Sequence, residues 1–285
     1  MKSTVRNLIS ITSLFRFAAT VLALASLGCS SMLYYPKTEK LFDPARVQLE
    51  PEDIYFKSSD GNMLHAWYFA SKTKENKGTV LFFHGNGENL TSHFLTFRWL
   101  PEQGYSYLIF DYPGYGTSSG KPSPEGTVKA GIAAAEWLVA NKKPTNLIIY
   151  GASLGGNVAL RTAEEIKGRI PFNHVIIEAS FPSYRKMGAQ VLSRSWITWL
   201  FQPIGYLVLS DKWAPKDISQ FSPTPMLFIA GDKDWIVEPE QSQKLFELAK
   251  DPKEIWIIPG GHHGDLYEIN KGELRGRLLQ YLEKK

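Results

Sequence analysis

The chain has 285 residues, of which 44% are hydrophobic, so it can fill the core of a sizeable domain and is not wholly disordered. Its formal charge is +4, but removal of residues 1–28 leaves 29 basic against 28 acidic residues, which predicts no nucleic-acid partner. Cys29 is the only cysteine, which excludes an intrachain disulfide, a multi-cysteine zinc site and an iron–sulfur cluster.

The first 28 residues have the pattern of a secretory signal. Basic residues precede an uncharged run from Phe17 to Leu27, which is too short to span about 30 Å of hydrocarbon. The segment that ends at Cys29 resembles a bacterial lipobox, with Ser26 where leucine is usual. This resemblance implies a lipid-anchored protein of the bacterial cell envelope, and Ser30 resembles an outer-membrane sorting signal, for a Gram-negative host. The alternative is an uncleaved anchor, with Cys29 as a buried thiol.

After the signal, residues 29–50 are predicted to be a linker and residues 51–285 a single domain. Its first elements are two strand-like runs, Glu52–Lys57 and Met63–Ala70. The turn signal Asp60-Gly61 between them predicts an antiparallel hairpin.

Short apolar runs and helical patterns alternate through the rest of the chain. The runs are too continuous to have one wet face, which predicts parallel strands covered on both sides, at 79–83, 105–110, 146–150, 174–177, 225–230 and 254–258. The helical candidates are 90–100, 124–141, 154–167, 239–249 and 269–283. The alternation predicts an α/β fold, a doubly wound and mostly parallel sheet with helices on both faces, whose chemistry lies at the carboxyl ends of the strands.

One interval, about 184–223, breaks this alternation and is predicted to be a short helical cap. Leu192, Trp196, Trp199 and Leu200 recur at the spacing of a helix stripe, and a second short helix is predicted after Pro203. The cap is expected to offer an apolar substrate pocket. The alternative is that these side chains pack on the main core.

The pattern Gly-x-Ser-x-Gly occurs twice, around Ser153 and around Ser118. Ser153 directly follows the predicted strand 146–150 and begins a predicted helix. This is the sharp strand-to-helix turn that exposes a nucleophilic serine. Ser118 lies among glycines and prolines and is predicted to be part of a turn. Ser153 is therefore the candidate nucleophile.

A serine hydroxyl needs a base and an orienting acid to become a good nucleophile. In the fold that presents a serine in this way, the chain order is serine, acid, histidine, which leaves His262 and His263 as candidate bases, and the residues alone do not choose between them. Two acids follow the strand 225–230. Asp232 is predicted to serve its own tight turn, so Asp234 is the candidate acid.

Two backbone amides are needed to stabilise the oxyanion. The amide of Leu154 lies at the positive end of a predicted helix, and the second candidate is Asn86, in the loop after the strand 79–83. His84 precedes the nucleophile in the chain and is predicted to shape that loop, whereas His65, His93 and His174 are assigned packing or surface roles.

These motifs resemble those of the α/β-hydrolase superfamily, over about Asp53 to Tyr281. Residues 84–87 resemble its oxyanion loop, 111–116 the turn after its fourth strand, 151–155 its nucleophile elbow and 231–234 its acid loop. The histidine turn of the membrane-associated and serine-aminopeptidase-like branch is similar to residues 259–265. This similarity implies that the base is His263, although Gly264 stands where asparagine is frequent.

The resemblance implies a serine hydrolase that needs no metal or other cofactor. The expected substrate is a small-molecule or lipid ester or thioester, and the expected contact with the membrane is the N-terminal lipid anchor. Two alternatives remain open. One is a serine peptidase, for which the sequence shows no amine-binding acid cluster, and the other is a non-catalytic envelope-binding lipoprotein that has kept the fold.

Overall fold

The computed structural model describes residues 34–194 and 199–284. The predicted signal, Cys29 and Trp196 lie outside the described residues. Residues 34–184 and 211–284 form one compact unit, and residues 185–194 and 199–210 belong to a second. No helix in the described ranges is long and apolar enough to cross a membrane.

The larger unit is built on an eight-stranded sheet, and it confirms the predicted mostly parallel α/β architecture with its antiparallel N-terminal hairpin. In chain order the ten strands are β1 Tyr35–Pro36, β2 Glu52–Lys57, β3 Met63–Phe69, β4 Gly78–Phe83, β5 Gly87–Glu88, β6 Tyr105–Phe110, β7 Leu147–Ala152, β8 His174–Glu178, β9 Met226–Gly231 and β10 Lys253–Ile258. The order across the sheet is β10-β9-β8-β7-β4-β6-β3-β2. All pairs from β10 to β6 are parallel, whereas β3 is antiparallel to both of its neighbours.

Seven α-helices connect or flank these strands in the described residues: α1 Leu90–His93, α2 Pro124–Lys142, α3 Leu154–Ile166, α4 Tyr184–Ser193, α5 Gln202–Val208, α6 Pro239–Leu248 and α7 Glu273–Glu283. Helix α2 begins where the Ser123 hydroxyl accepts a hydrogen bond from the Gly126 amide, with Pro124 at the first helical position. Strands β4, β6 and β9 are buried at every residue, which explains why they are almost wholly apolar on both faces.

Two predicted helices were too long. After α1 the chain continues as a 3-10 helix, Phe94–Phe97, and the spacing of the fully buried Phe94, Phe97 and Leu100 suits three residues per turn. The last helix starts at Glu273 rather than at Ile269, since the preceding residues 270–272 have positive φ angles that break a helix.

The segment predicted as a linker packs on the domain from Tyr34 onward. Strand β1 pairs in parallel with β5, beside the predicted oxyanion loop, and a 3-10 helix covers Pro44–Val47. Leu49 is buried in the main core. The sequence pattern missed this packing because the segment is polar and its strand has only two residues.

The interval 184–223 contains no strand in its described parts, as predicted, but the predicted single helix stripe is wrong. Helix α4 ends at Ser193, and Trp199 and Leu200 lie in a 3-10 helix, Trp199–Phe201, with 57% and 74% of their surface exposed. Within the smaller unit, the Arg185 side chain donates to the Leu209 carbonyl. A cap pocket for substrate stays a prediction.

Candidate functional site

The predicted site residues all follow strands of the parallel part of the sheet. Ser153 follows β7, Asp234 follows β9, His263 follows β10 and Asn86 follows β4. Because these strands are parallel neighbours in one sheet, their carboxyl ends lie at the same edge. The fold therefore brings together residues that are up to 177 positions apart in the sequence.

Ser153 occupies a strained turn between β7 and α3. Its backbone angles are φ 56° and ψ −122°, a conformation that L-residues rarely adopt and that costs about 1–3 kcal/mol. The turn closes with the Ser153 amide donating to the Glu178 carbonyl at 2.8 Å. A Cβ atom on Gly155 would lie 2.1 Å from the Phe83 carbonyl oxygen, so α3 can start here only with glycine.

The side chains of Ser153, His263 and Asp234 form a hydrogen-bonded chain. His263 Nε2 lies 3.1 Å from Ser153 Oγ, and His263 Nδ1 lies 2.7 Å from Asp234 Oδ2. The carboxylate of Asp234 is fully buried, whereas one fifth of the His263 side chain is exposed. With Nδ1 donating to the carboxylate, Nε2 is left as the acceptor that can take the serine proton.

The other oxygen of Asp234 is also held. Asp234 Oδ1 accepts hydrogen bonds from the amides of Ile236 at 2.8 Å and Val237 at 2.9 Å. It is therefore Asp234 that makes the local turn predicted for Asp232, and this prediction was wrong. Asp232 instead accepts a bond from the Gly260 amide at 2.7 Å and so ties the loop after β9 to the loop that carries His263.

The structure separates the two adjacent histidines. His262 Nδ1 lies 3.1 Å from the Lys233 carbonyl and the residue is exposed, so this ring points away from the serine. The loop that carries both histidines is pressed against β9, since a Cβ on Gly231 would lie 2.2 Å from the Gly261 carbonyl oxygen. With the loop held there, His263 and not His262 lies within hydrogen-bond distance of Ser153.

The two predicted oxyanion residues come from the start of α3 and from the loop after β4. Leu154 is the first residue of α3, so its amide has no partner within the helix. The Tyr115 hydroxyl donates to the Asn86 carbonyl at 2.6 Å, and the Tyr35 amide donates to the Asn86 side chain at 3.2 Å. Both bonds fix the conformation of the loop at Asn86 without using its backbone amide, and the oxyanion role of the Asn86 and Leu154 amides stays a prediction.

His84 lies beneath the oxyanion loop and not beside the serine. Its Nδ1 lies 2.8 Å from the Gly85 carbonyl, and its ring stacks on His93. Burial holds the pKa of His84 well below its ordinary range, and the neighbouring His93 lowers it further. The neutral, buried ring matches the predicted role in shaping the loop.

Ser118, in the second Gly-x-Ser-x-Gly pattern, is a turn residue. Its hydroxyl donates to the Asp111 carbonyl at 3.0 Å and accepts from the His65 amide at 2.9 Å. The two hydrogen bonds tie the loop of Ser118 to β3 and to the residue after β6, and they place Ser118 outside the chain of side chains around His263.

A cavity of about 400 Å³ opens beside the nucleophile. Its walls include Ser153, His263, His93, Arg98, Glu178 and Tyr267. Glu178 was not among the predicted site residues. The available signal was an acidic residue at the end of a buried strand, next to the strand that leads to the nucleophile.

Comparison with known proteins shows the family to which the chain belongs. The family model described as serine aminopeptidase, S33, matches residues 74–211. The uncharacterized protein YfhR of Salmonella typhimurium is 31% identical, with 88% of this chain and 86% of that protein covered. The alpha/beta hydrolase domain-containing protein WAV2 of Arabidopsis thaliana is 29% identical over 85% and 81% of the two chains.

Among solved structures, the Pyrococcus furiosus esterase Pf2001 matches with a TM-score of 0.70 at 20% identity, covering 88% of this chain and 97% of that one. At this identity the match speaks for the fold alone. Together with the family model and the relatives, it identifies the chain as a member of the α/β-hydrolase superfamily of serine hydrolases, in the same family as YfhR.

Proposed function

We propose that this hydrolase cleaves a carboxylic ester or thioester through an acyl-enzyme, with Ser153 as nucleophile, His263 as base and Asp234 as the orienting acid. The observation that carries the proposal is the hydrogen-bonded chain from Ser153 Oγ through the His263 ring to Asp234, with distances of 3.1 Å and 2.7 Å. A nucleophile, a base and an orienter in this arrangement are the parts that acyl transfer requires.

In the first half of the reaction, His263 Nε2 takes the proton of Ser153 Oγ as the oxygen attacks the substrate carbonyl. The negative charge that develops on the carbonyl oxygen is stabilised by the amides of Leu154 and Asn86. When the tetrahedral intermediate collapses, the bond to the alcohol or thiol breaks, and His263 gives its proton to that leaving group. The product of this half is Ser153 carrying the acyl group as an ester.

In the second half, His263 removes a proton from water, which attacks the acyl-enzyme. Collapse of the second intermediate returns the proton to Ser153 and releases the carboxylic acid. In both halves the histidine is transiently an imidazolium. Asp234 stabilises that charge, and its own geometry is held by the amides of Ile236 and Val237.

The test is turnover of p-nitrophenyl acetate together with labelling by a fluorophosphonate probe. Ser153→Ala is expected to lower kcat by about 10⁴-fold or more and to abolish labelling. Ser118→Ala is the matched control, because it removes the serine of the other Gly-x-Ser-x-Gly pattern and should still be labelled. Labelling of the Ser153→Ala protein, or full retention of its activity, would refute the assignment. A wild-type protein that is neither active nor labelled would favour a non-catalytic role.

The choice of base is tested separately. His263→Ala is expected to reduce kcat about as strongly as Ser153→Ala, whereas His262→Ala should change it by no more than about threefold. The reverse order of the two effects would reassign the base to His262.

Peptidase activity is the second candidate, and the observation that favours it is the description of the matching family as a serine aminopeptidase. Matched peptide and ester substrates with the same acyl group distinguish the two. We expect a higher kcat/KM for the ester series, and a higher value for the peptide series would make the protein a peptidase.

We further propose that the protein is anchored in a bacterial envelope by a lipid on Cys29, on the strength of the lipobox-like sequence that ends there. In cells supplied with labelled palmitate, the wild-type protein should take up label in the membrane fraction. The Cys29→Ala protein should not. Equal labelling of both proteins would remove this proposal.

A further inference from the structure

A buried carboxylate lies next to the nucleophile without belonging to the serine–histidine–aspartate chain. Glu178 is the last residue of β8 and pairs with Ala152, the residue before Ser153. Only 5% of its surface is exposed, and its side chain lines the cavity together with Ser153 and His263. Burying an ionised carboxylate costs free energy unless the group is hydrogen-bonded or paired with an opposite charge.

Glu178 is linked to the histidine loop through two tyrosines. The Tyr150 hydroxyl donates to Glu178 Oε2, and the hydroxyls of Tyr150 and Tyr267 lie 2.9 Å apart. A phenol has one proton, so when Tyr150 donates to the carboxylate, the Tyr267 hydroxyl is the donor to Tyr150. The network therefore joins β8, β7 and the segment that follows His263 by four residues.

An aromatic ring packs against both tyrosines of this network. Phe97 packs edge-on against Tyr150 with ring centroids 4.7 Å apart, and against Tyr267 at 5.8 Å. The segment after His263 folds back on itself, with the amides of Glu268 and Ile269 both donating to the Asp265 carbonyl. A displacement of Tyr267 would therefore move the backbone that carries the histidine.

The charge of Glu178 is coupled to the charge on His263. Burial raises the pKa of Glu178 above its ordinary value, and the negative charges of Asp234 and Asp265 add to the rise, while the hydrogen bond from Tyr150 and the positive charge on His263 oppose it. The carboxylate is thus most favourable when the imidazole is protonated, which is the state that arises during acyl transfer. An interaction that strengthens as the reaction proceeds lowers the barrier, whereas one of constant strength does not.

The other titratable and charged groups around His263 are engaged in contacts of their own or are neutral. Asp234 bonds its Nδ1 directly, and burial keeps the pKa of His93 below its ordinary value, so that ring is neutral. The remaining charged groups of the cavity and of the histidine loop are Glu88, Arg98, Glu268 and Asp265. Arg98 and Glu268 pair with each other, Glu88 pairs with Lys37, and Asp265 accepts a bond from the His262 amide.

We propose that Glu178 is a positioning residue for His263. Its carboxylate, through Tyr150 and Tyr267, fixes the loop that carries the histidine, and its negative charge stabilises the imidazolium formed when Ser153 is deprotonated. This inference rests on the proposed role of His263 as the base. It assigns the site two carboxylates with different tasks, one bonded to the ring and one acting through hydroxyl groups and charge.

The test compares Glu178→Gln and Tyr267→Phe with the wild type. Glutamine keeps an oxygen for the Tyr150 hydroxyl and removes only the charge, whereas phenylalanine removes the link to the histidine loop. Tyr107→Phe is the matched control, since its buried hydroxyl donates to the Phe94 carbonyl at 3.2 Å, outside the network. For each protein, kcat and KM for p-nitrophenyl acetate are measured from pH 5 to 9 (about the range in which histidine titrates), together with thermal unfolding.

Glu178→Gln is expected to lower kcat about tenfold, the equivalent of one pKa unit of lost stabilisation, with KM changed by less than about twofold. The acidic limb of kcat/KM should move to lower pH by about half a unit or more, because the imidazolium loses a nearby negative charge. The variant should unfold at the same temperature as the wild type or higher, since a buried carboxylate has been removed. Tyr267→Phe should lower kcat about threefold without moving the limb, and Tyr107→Phe should change neither.

Wild-type kcat and an unmoved acidic limb in Glu178→Gln would overturn the proposal. The proposal would also be overturned if Glu178→Gln lowers both kcat and the unfolding temperature while the acidic limb of kcat/KM stays in place. A contact that serves only the stability of the fold predicts that result. If Glu178→Gln does not fold, Tyr267→Phe decides, and wild-type kcat in that variant refutes the link to the loop. Failure of the proposed function itself is seen separately, as activity in Ser153→Ala.

Discussion

The strained turn at Ser153 predicts an unusual stability effect, in which glycine stabilises the fold. At φ 56° and ψ −122° the residue adopts a conformation that glycine reaches without a steric penalty. Ser153→Gly and Ser153→Ala both remove the hydroxyl and its bond to His263. The difference in stability between them therefore reports chiefly on the backbone conformation at residue 153.

The magnitude follows from two opposing terms. Relief of the strain is worth about 1–3 kcal/mol, and the greater chain entropy of glycine in the unfolded state costs about 0.5–1 kcal/mol. Ser153→Gly should therefore be about 1 kcal/mol more stable than Ser153→Ala, which corresponds to an unfolding temperature about 2–4 °C higher. Thermal and urea unfolding of the two inactive proteins measure the difference.

A glycine placed in ordinary helical geometry provides the control. Ala140 is exposed in α2, and Ala140→Gly should cost about 1 kcal/mol, the opposite sign to the effect at Ser153. If Ser153→Gly is no more stable than Ser153→Ala while Ala140→Gly behaves as expected, the turn is not strained. The account of how the fold presents the nucleophile would then be wrong.

Three further predictions follow from the geometry. Asp234→Asn should keep the fold and lower kcat by about 10³–10⁴-fold, measured with p-nitrophenyl acetate, because Nδ1 loses the acceptor that sets the tautomer; a loss below tenfold would contradict the role of Asp234. Gly155→Ala should lower the free energy of unfolding by about 3 kcal/mol, because the new methyl group would lie 2.1 Å from the Phe83 carbonyl oxygen, and near-wild-type urea unfolding would contradict that contact. Burial by itself would lower the pKa of His65, but the carboxylates of Asp111 and Asp53 beside its ring raise it overall. The stabilising contribution of His65 is therefore fully present below its ordinary pKa of 6.5 and is lost as the pH rises through the raised value. The stability difference between wild type and His65→Gln should shrink over that window, and a constant difference would refute it.

The sequence predicted most of the sheet because buried parallel strands have a distinctive composition. The run 105–110 matches β6 residue for residue, and the hairpin formed by β2 and β3 lies where the Asp60-Gly61 turn signal placed it. A strand covered on both faces admits almost only apolar residues, so its limits are sharp. The short 3-10 turns after α1 were not predicted, since an apolar spacing of three residues at Phe94, Phe97 and Leu100 also fits part of an α-helix pattern.

The candidate site was predictable where a motif constrains the backbone and less so where contacts join distant segments. The two glycines around Ser153 are steric requirements of one turn, so the serine was identified locally. The choice between His262 and His263 depends on how the loop after β10 rests on Gly231, which is a contact across two strands, and only the family resemblance indicated it. Glu178 was missed for the same reason, because its hydrogen-bond partner Tyr150 lies 28 residues before it, and Tyr267, which bonds Tyr150, lies 89 residues after it in the chain.

The order of the sheet explains why two carboxylates flank one imidazole. Adjacent strands lie about 4.8 Å apart, and β7, β8, β9 and β10 are successive neighbours. At their carboxyl ends they carry Ser153, Glu178, Asp234 and His263 in turn. The strand that bears Glu178 therefore lies between the strand of the nucleophile and the strand of the acid, and a charge there acts across the gap that the histidine loop must bridge. Asp234 is in hydrogen-bond contact with Nδ1 of the ring, whereas Glu178 lies one strand further away and, in its proposed role, affects the charge of the ring without competing for Nδ1.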